Sequence, residues 1–284
     1  MICSRSGRDP AACADPDRGI VGAMAAPHPT ETHRLFEHDR VAAGYASARP
    51  YLHPEILAVV RDVIRPAAPF RRALDVGCGT GLSSRAVLEL AREVVGIDAS
   101  VEMLRRAGRA RGLRYVASEA ETPPFRPRSF GLVVACGSID WVDRSRFVPR
   151  AAELLERGGW LVPLDFGDTG RSPEVPGLAR WYDEVFQARY PRPASADPLV
   201  TAEEAERHGF DAPVHRDFAA AAPFTARQYA AFLMTESSVI AAVEYGSEAE
   251  DRVRAWLESE LSSLFGEGSR PVAFSGYVQA LRRC

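Results

Sequence analysis

Apolar positions recur along the chain with two different periods, and the switches between them divide it. Residues 1–30 are rich in Gly, Pro, Ala, Asp and Arg and carry no period, which predicts a disordered leader with Met24 as an alternative start. From 31 to 45 apolar residues fall at helical spacing (Leu35, Phe36, Val41, Tyr45). A second helix is predicted over 54–64, with Ile56, Leu57, Val60 and Ile64 on one face and Pro66 and Pro69 ending it. Short β-branched runs then alternate with helical stretches, the signature of parallel βαβ units. Strands are predicted at 73–76, 93–97, 113–117, 130–136 and 160–164, with helices at 83–91, 101–110 and 146–155 between them. Gly158 and Gly159 form the turn into the fifth strand, where glycine tolerates a left-handed backbone after a helix.

Past Gly170 the pattern changes. An aromatic helix (Leu178, Trp181, Tyr182, Val185, Phe186) precedes a capping box at 201–204, whose helix runs to His208, and a strand at 214–218. A second capping box at 225–228 opens a helix through Tyr229, Phe232 and Leu233, and a long helix at 248–264 leads to a last strand at 272–280. No internal repeat breaks this order.

Composition narrows the chemistry. The 284 residues are 46% apolar and 26% charged, the balance of a chain that buries a core, and their net charge of −3 gives no basic field for nucleic acid or an anionic membrane. A small-molecule partner is the expectation. All 35 basic residues are Arg, and neither Lys nor Asn occurs. That excludes Schiff-base chemistry on lysine, a P-loop lysine and N-glycosylation. Five cysteines at scattered spacings without a Cys-x-x-Cys pair predict reduced thiols, a cytoplasmic setting and no zinc site. No apolar run reaches the length of a membrane span, and the six histidines lack metal-ligand spacing.

The candidate chemistry centres on Leu74-Asp75-Val76-Gly77-Cys78-Gly79-Thr80-Gly81-Leu82, an apolar strand entering a glycine turn and then a helix. A dinucleotide turn wants its third glycine where Leu82 stands, so a pyrophosphate fits poorly. Bare backbone at Gly77 and Gly79 lets a ligand approach closely, and Asp75 before the turn can hold a cationic group. Asp98 ends the next strand, at the place from which a carboxylate accepts both ribose hydroxyls. Adenosine binding follows.

These segments resemble the class I S-adenosylmethionine-dependent methyltransferases, in particular the small-molecule branch of ubiquinone-biosynthesis and trans-aconitate methyltransferase-like proteins, over about residues 36–166. Residues 74–81 are similar to the family's glycine motif, including Gly77, Cys78, Gly79 and Gly81. Val95 to Ser100 with Met103 is similar to its ribose and adenine segment, and Ser118 to Phe125 to its adenine-edge loop. The resemblance implies a Rossmann-like, doubly wound, mostly parallel seven-stranded α/β sheet with a helical cover, and S-adenosylmethionine as cofactor. It divides the chain into a core with N-terminal lid helices at 31–170 and the cover plus the last two strands at 171–284. It places Asp75, Asp98, Ala99, Met103, Glu119, Ala120 and Cys136 at the cofactor, with Tyr45 and Arg49 from the lid segment over its methionine end. Glu119 stands where the family usually has Asp, Gly131 where Asp is usual, and Asp140 where His is usual.

The implied reaction is methyl transfer to a small molecule, most simply to oxygen, in which positioning does most of the work and no metal is required. A base is needed only when the nucleophile starts as a neutral hydroxyl or amine, and Asp140 is the candidate base or orienter, set against a role as helix cap. Arg49 is placed to pair with the methionine carboxylate and Tyr45 and Tyr51 to pack on the cofactor, although each also fits an ordinary core or surface role. His53 lies beside the lid, from which it could reach the substrate, and a surface histidine is the preferred reading. The helical stretches at 170–212 and 225–266 are expected over the carboxyl ends of the strands, with Trp181 and Phe232 acting alike on the acceptor. A nicotinamide oxidoreductase, a non-methylating protein or cyclase on the same fold, and a nucleic-acid methyltransferase are the competing readings.

Overall fold

The computed structural model describes residues 33–192, 199–246 and 248–284, so the leader expected over 1–30 lies outside the described residues. The described chain starts with a short 3-10 turn at His33–Phe36, then α1 (Asp39–Ala48) and α2 (His53–Ile64). Helix α2 stops at Arg65, whose φ of 43° is left-handed, because a residue preceding proline is disfavoured in the α region.

The alternating segment builds β1 (Phe70–Val76), α3 (Leu82–Val87), β2 (Ala91–Asp98), α4 (Val101–Arg105), β3 (Leu113–Ala117), β4 (Phe130–Cys136), α5 (Arg144–Leu154) and β5 (Leu155–Arg171). After them come α6 (Leu178–Trp181), which continues through a π turn at Tyr182–Phe186, then α7 (Ala202–Arg207) and β6 (Val214–Phe224). Helices α8 (Ala226–Leu233), α9 (Ser237–Glu244) and α10 (Glu250–Phe265) lead to β7 (Arg270–Arg282). The seven strands form one sheet in the order β3-β2-β1-β4-β5-β7-β6. The first five are parallel, and β7 runs antiparallel between β5 and β6. This is the expected α/β architecture, with its order reversing between β1 and β4.

Central strands explain why the sheet forms. Residues 73–76 and 130–135 are fully buried, and apart from Asp75 they are apolar or glycine, which needs helices on both faces. One face receives Ile56, Leu57, Val60 and Ile64 of α2 and the aromatic surfaces of α6, α8 and α10. The opposite face receives Phe147, Val148 and Ala151 of α5, with Ala205 of α7. A third, small cluster joins Leu35, Val41 and Ala42 to Met103 and Ile240, so α1, α4 and α9 meet above the carboxyl ends of the strands.

Several elements depart from the pattern read along the chain. Strand β5 continues to Arg171 and β6 to Phe224, because pairing with β7 carries the backbone through glycines and through four alanines that have little strand preference of their own. Helices α3 and α4 stop early, at Val87 and Arg105. Helix α9 had no signature, since its short alanine-rich run lacks a capping side chain. The capping box at Thr225 forms in full, the Thr225 hydroxyl accepting from the Gln228 amide and Gln228 Oε1 from the Thr225 amide at 2.9 Å. At Thr201 only the outward half forms, and Glu204 turns to Arg144 instead. Among the described residues no helix is long and apolar enough to cross a membrane.

Candidate functional site

A cavity of about 250 Å³ opens at the carboxyl ends of β1, β2, β3 and β4, where the strand order reverses and open sheets bind ligands. Its floor is the glycine turn. Cys78 donates its amide to the Ile97 carbonyl at 2.9 Å, pinning the turn to β2. The Asp98 carboxylate then accepts the Gly79 amide on Oδ2 and the Ser100 amide on Oδ1, each at 2.8 Å. A Cβ built on Gly79 meets nothing within 4 Å, so the missing side chain leaves open space above the backbone. Ser100 ties this floor to the N-terminal segment by donating to the Phe36 carbonyl at 2.7 Å.

The candidate residues separate into two groups. Gly77, Cys78, Gly79, Asp98, Ala99, Met103, Glu119, Ala120, Cys136, Tyr45 and Arg49 all line the cavity. Asp75, Gly81 and Asp140 do not. Asp75 is fully buried behind the turn, and its Oδ2 accepts both Ser83 Oγ at 2.6 Å and Ser84 Oγ at 2.5 Å. Its Oδ1 is buried without a partner, and burial outweighs the two serines to push the carboxyl up to about 6. Gly81 begins α3 and packs against the Tyr115 hydroxyl.

Asp140 corrects the expectation of a base at that position. It sits exposed in the 3-10 turn Ile139–Trp141, and a turn with three residues per repeat puts Ser138 and Trp141 on the cavity side together. Nor does Asp140 cap α5, whose N-cap is Asp143. The acid that lines the cavity from β5 is Asp165. Its Oδ1 accepts the Phe166 amide at 2.7 Å, and burial raises its carboxyl to about 6.

His53 is a second correction. It is 7% exposed, lines the cavity, stands edge-on to Phe166 with ring centroids 5.3 Å apart and stacks on Tyr51. Its Nδ1 is buried without a partner. Burial, reinforced by Arg85 and then Arg49, lowers its pKa to about 4, so the imidazole is neutral at pH 7. Arg49 crosses the cavity from α1 to the α8–α9 connection. It donates to the Thr235 carbonyl at 2.7 Å and to Tyr45 Oη at 3.2 Å, and lies 3.2 Å from Glu236. Its guanidinium rests over the Tyr45 and Phe232 rings, at 4.5 and 5.0 Å from their centroids. Tyr51 is exposed and holds Arg85 over its ring, away from the cavity lining.

Of the helical stretches expected over the strand ends, only the second reaches the cavity among the described residues, through Phe232. Trp181 instead packs on Phe186 and Trp256 in the core and donates its indole N–H to Glu260 at 3.0 Å. Asp165, Phe166 and Trp141 are among the lining residues that had not been read as site residues. The available signal for Asp165 was a lone acid directly after an apolar strand. Among the described residues no group of three or more His, Cys, Asp or Glu side chains is gathered as for a metal ion.

The buried acids give the protein a pH dependence with a definite sign. Asp75, Asp165 and Asp168 have folded-state values near 6 against 3.8 for the free group. A raised acid favours the folded state when protonated, so its contribution is fully present below about pH 4 and lost as pH rises through 6. His53 runs oppositely, its contribution being lost as pH falls from 6.5 towards 4. Asp165→Asn should therefore stabilise the protein at pH 8 by about 1 to 3 kcal/mol, a gain that shrinks towards pH 4. Thermal melts across that range check it, and equal gains at both ends would contradict it.

Residues 74–162 match the methyltransferase domain family. The chain is similar to an uncharacterised methyltransferase of Mycobacterium bovis, 34% identical over 41% of this chain and 46% of the relative. It is 33% identical to a malonyl-[acyl-carrier protein] O-methyltransferase of Enterobacter lignolyticus over 43% of this chain and 51% of the relative. A demethylmenaquinone methyltransferase of Corynebacterium kroppenstedtii is 28% identical over 60% of this chain and 74% of its own length. The chain spans about half the length of the first two of these relatives. In fold it is similar to a candidate type II methyltransferase of Anaeromyxobacter dehalogenans, with a TM-score of 0.58 at 22% identity over 80% of this chain and 94% of that one. The matched segment is thus similar to a methyltransferase domain, and the fold is similar to that of a methyltransferase.

Proposed function

We propose that the protein transfers a methyl group from S-adenosylmethionine to an oxygen atom of a small acceptor by in-line displacement. The observation that carries this reading is the Asp98 carboxylate at the end of β2, fixed by the Gly79 and Ser100 amides beside the open space over Gly79. Asp98 holds the ribose hydroxyls, with Ala99, Met103, Glu119 and Ala120 along the adenosine end. Gly77 and Cys136 line the passage beyond. Tyr45 and Arg49 close the methionine end from the N-terminal segment, which with α8 and α9 makes the cover.

When bound, the cofactor supplies a methyl group on a sulfonium, whose departure leaves a neutral thioether. The protein's part is to hold donor and acceptor in line and exclude water, a contribution of up to roughly 7 to 11 kcal/mol. Aromatic side chains at Phe36, Trp141, Phe166 and Phe232 line the cavity, as is common where a small molecule is bound. The malonyl-carrier relative, named an O-methyltransferase, supports oxygen as the target.

S-adenosylmethionine and S-adenosylhomocysteine should each raise the melting temperature, since about 2.7 kcal/mol of stabilisation follows from ligand at a hundredfold its Kd. No shift at saturation would remove the reading, and a shift without label transfer from methyl-tritiated cofactor would leave a binding protein or cyclase. Asp98→Ala should weaken cofactor binding by about 1.5 to 3 kcal/mol, the range for hydrogen bonds to a charged group. Because Asp98 also holds two backbone amides, some stability should go with it. Calorimetric titration with S-adenosylhomocysteine decides, and unchanged affinity would move the ribose site elsewhere.

A further inference from the structure

We propose that the acceptor's nucleophile is a neutral hydroxyl, that Asp165 is the base taking its proton during methyl transfer, and that His53 hydrogen-bonds the same hydroxyl. The inference rests on the methyltransferase reading above and names its acceptor. Two polar groups with bonding capacity to spare face the end of the cavity away from Asp98. Asp165 commits Oδ1 to the Phe166 amide and lines the cavity, while His53 is more than nine-tenths buried there with Nδ1 unpartnered. Buried polar atoms lacking partners are costly unless a ligand supplies them.

The charges select the ligand. Arg49 is the one cation among the described lining residues; Glu236, the Thr235 carbonyl and the Tyr45 hydroxyl engage its Nη2, and its buried Nε, which has no partner, is the donor left for the methionine carboxylate of the cofactor. A carboxylate acceptor would meet Asp165 without a cation to balance it. An ammonium acceptor would pair with Asp165 and be held protonated, with no lone pair to attack. A hydroxyl differs from both because its proton becomes acidic as its oxygen bonds to carbon, so transfer to a carboxylate can accompany the attack.

The step balances. The hydroxyl oxygen's electron pair forms the bond to the methyl carbon while the carbon–sulfur pair stays on sulfur. The hydroxyl proton passes to Asp165 and from there to solvent. The groups around Asp165 are Asp140 from the 3-10 turn, Arg49 and Tyr45 from α1, Glu236 before α9, Cys136 on β4, His53 on α2 and its cross-strand neighbour Tyr277 on β7. Burial sets the carboxyl near 6, high enough to accept a proton and low enough to be ionised at neutral pH.

The test offers methyl-tritiated S-adenosylmethionine to three pools, of phenols and alcohols, of carboxylic acids and of primary amines, with S-adenosylhomocysteine binding measured alongside. Label should enter the hydroxyl pool, its rate rising with pH up to about 6 and then levelling. Asp165→Asn should lower that rate by about a hundredfold or more and remove the pH step, with S-adenosylhomocysteine affinity within about threefold. A nitrophenol already ionised at pH 8 should lose far less in the variant. His53→Gln should raise the acceptor KM without moving the pH midpoint. Label in the acid or amine pool, a variant that keeps the wild-type rate, or no transfer from the hydroxyl pool while S-adenosylhomocysteine binds would each overturn the assignment. Loss of S-adenosylhomocysteine binding in the wild-type protein would instead strike the methyltransferase reading itself.

Discussion

Gly77→Ala is expected to remove cofactor binding and to cost the fold about 2 to 5 kcal/mol. The backbone there has φ of 65°, where a side chain carries strain, and an added Cβ would lie 2.4 Å from Ser138 Cβ. Ser138 cannot yield cheaply, because it is buried and its hydroxyl donates to the Val76 carbonyl at 2.7 Å. The carboxyl ends of β1 and β4 must therefore separate, and the turn that presents the Cys78 and Gly79 amides goes with them. Gly79→Ala is the matched comparison. Its φ of 52° brings similar backbone strain, about 1 to 2 kcal/mol, but its Cβ points into open space. It should leave a folded protein whose added methyl stands where the cofactor lies. Urea unfolding and calorimetric titration with S-adenosylhomocysteine separate the two effects. If both variants bound like wild type, the cradle would not be the cofactor site.

That difference between neighbouring glycines marks what a sequence can and cannot convey. The strand-turn-helix at 74–82 and Asp98 were legible because close backbone approach and ribose binding demand particular residue types at fixed local spacing. The central strands β1 and β4 were legible because strands buried on both faces are almost continuously apolar. What escaped was set by distant partners. Whether Gly77 meets Ser138 depends on the pairing of β1 with β4, and the reach of β5 and β6 depends on β7. His53 looked like a surface residue from its polar neighbourhood, and only the packing of Phe166 and Tyr51 around it makes it a buried neutral group. Asp140 and Asp165 are both acids following apolar runs. The 3-10 turn carries one out to solvent, while the straight course of β5 delivers the other to the cavity.

Phe232→Ala is expected to cost about 3 to 5 kcal/mol and to impair methyl transfer far more than cofactor binding. The ring is fully buried among Phe224, Tyr229 and Phe274, with centroids 5.5 to 6.0 Å away, so truncation removes contacts that no other side chain replaces. It also faces the cavity beneath the Arg49 guanidinium. The space opened by alanine therefore joins the acceptor end, loosening the walls that hold the nucleophile in line with the methyl group. The adenosine contacts proposed along residues 77–121 should be undisturbed, with S-adenosylhomocysteine affinity within about threefold of wild type. Trp181→Ala separates packing from position. Trp181 is as deeply set in the core but lies away from the cavity, so its loss should lower stability by a similar amount and leave transfer by the folded protein near the wild-type rate. Urea melts together with label transfer at a temperature where both variants stay folded make the comparison. Equal loss of transfer in the two would mean that stability, and not the wall of the acceptor end, governs the rate.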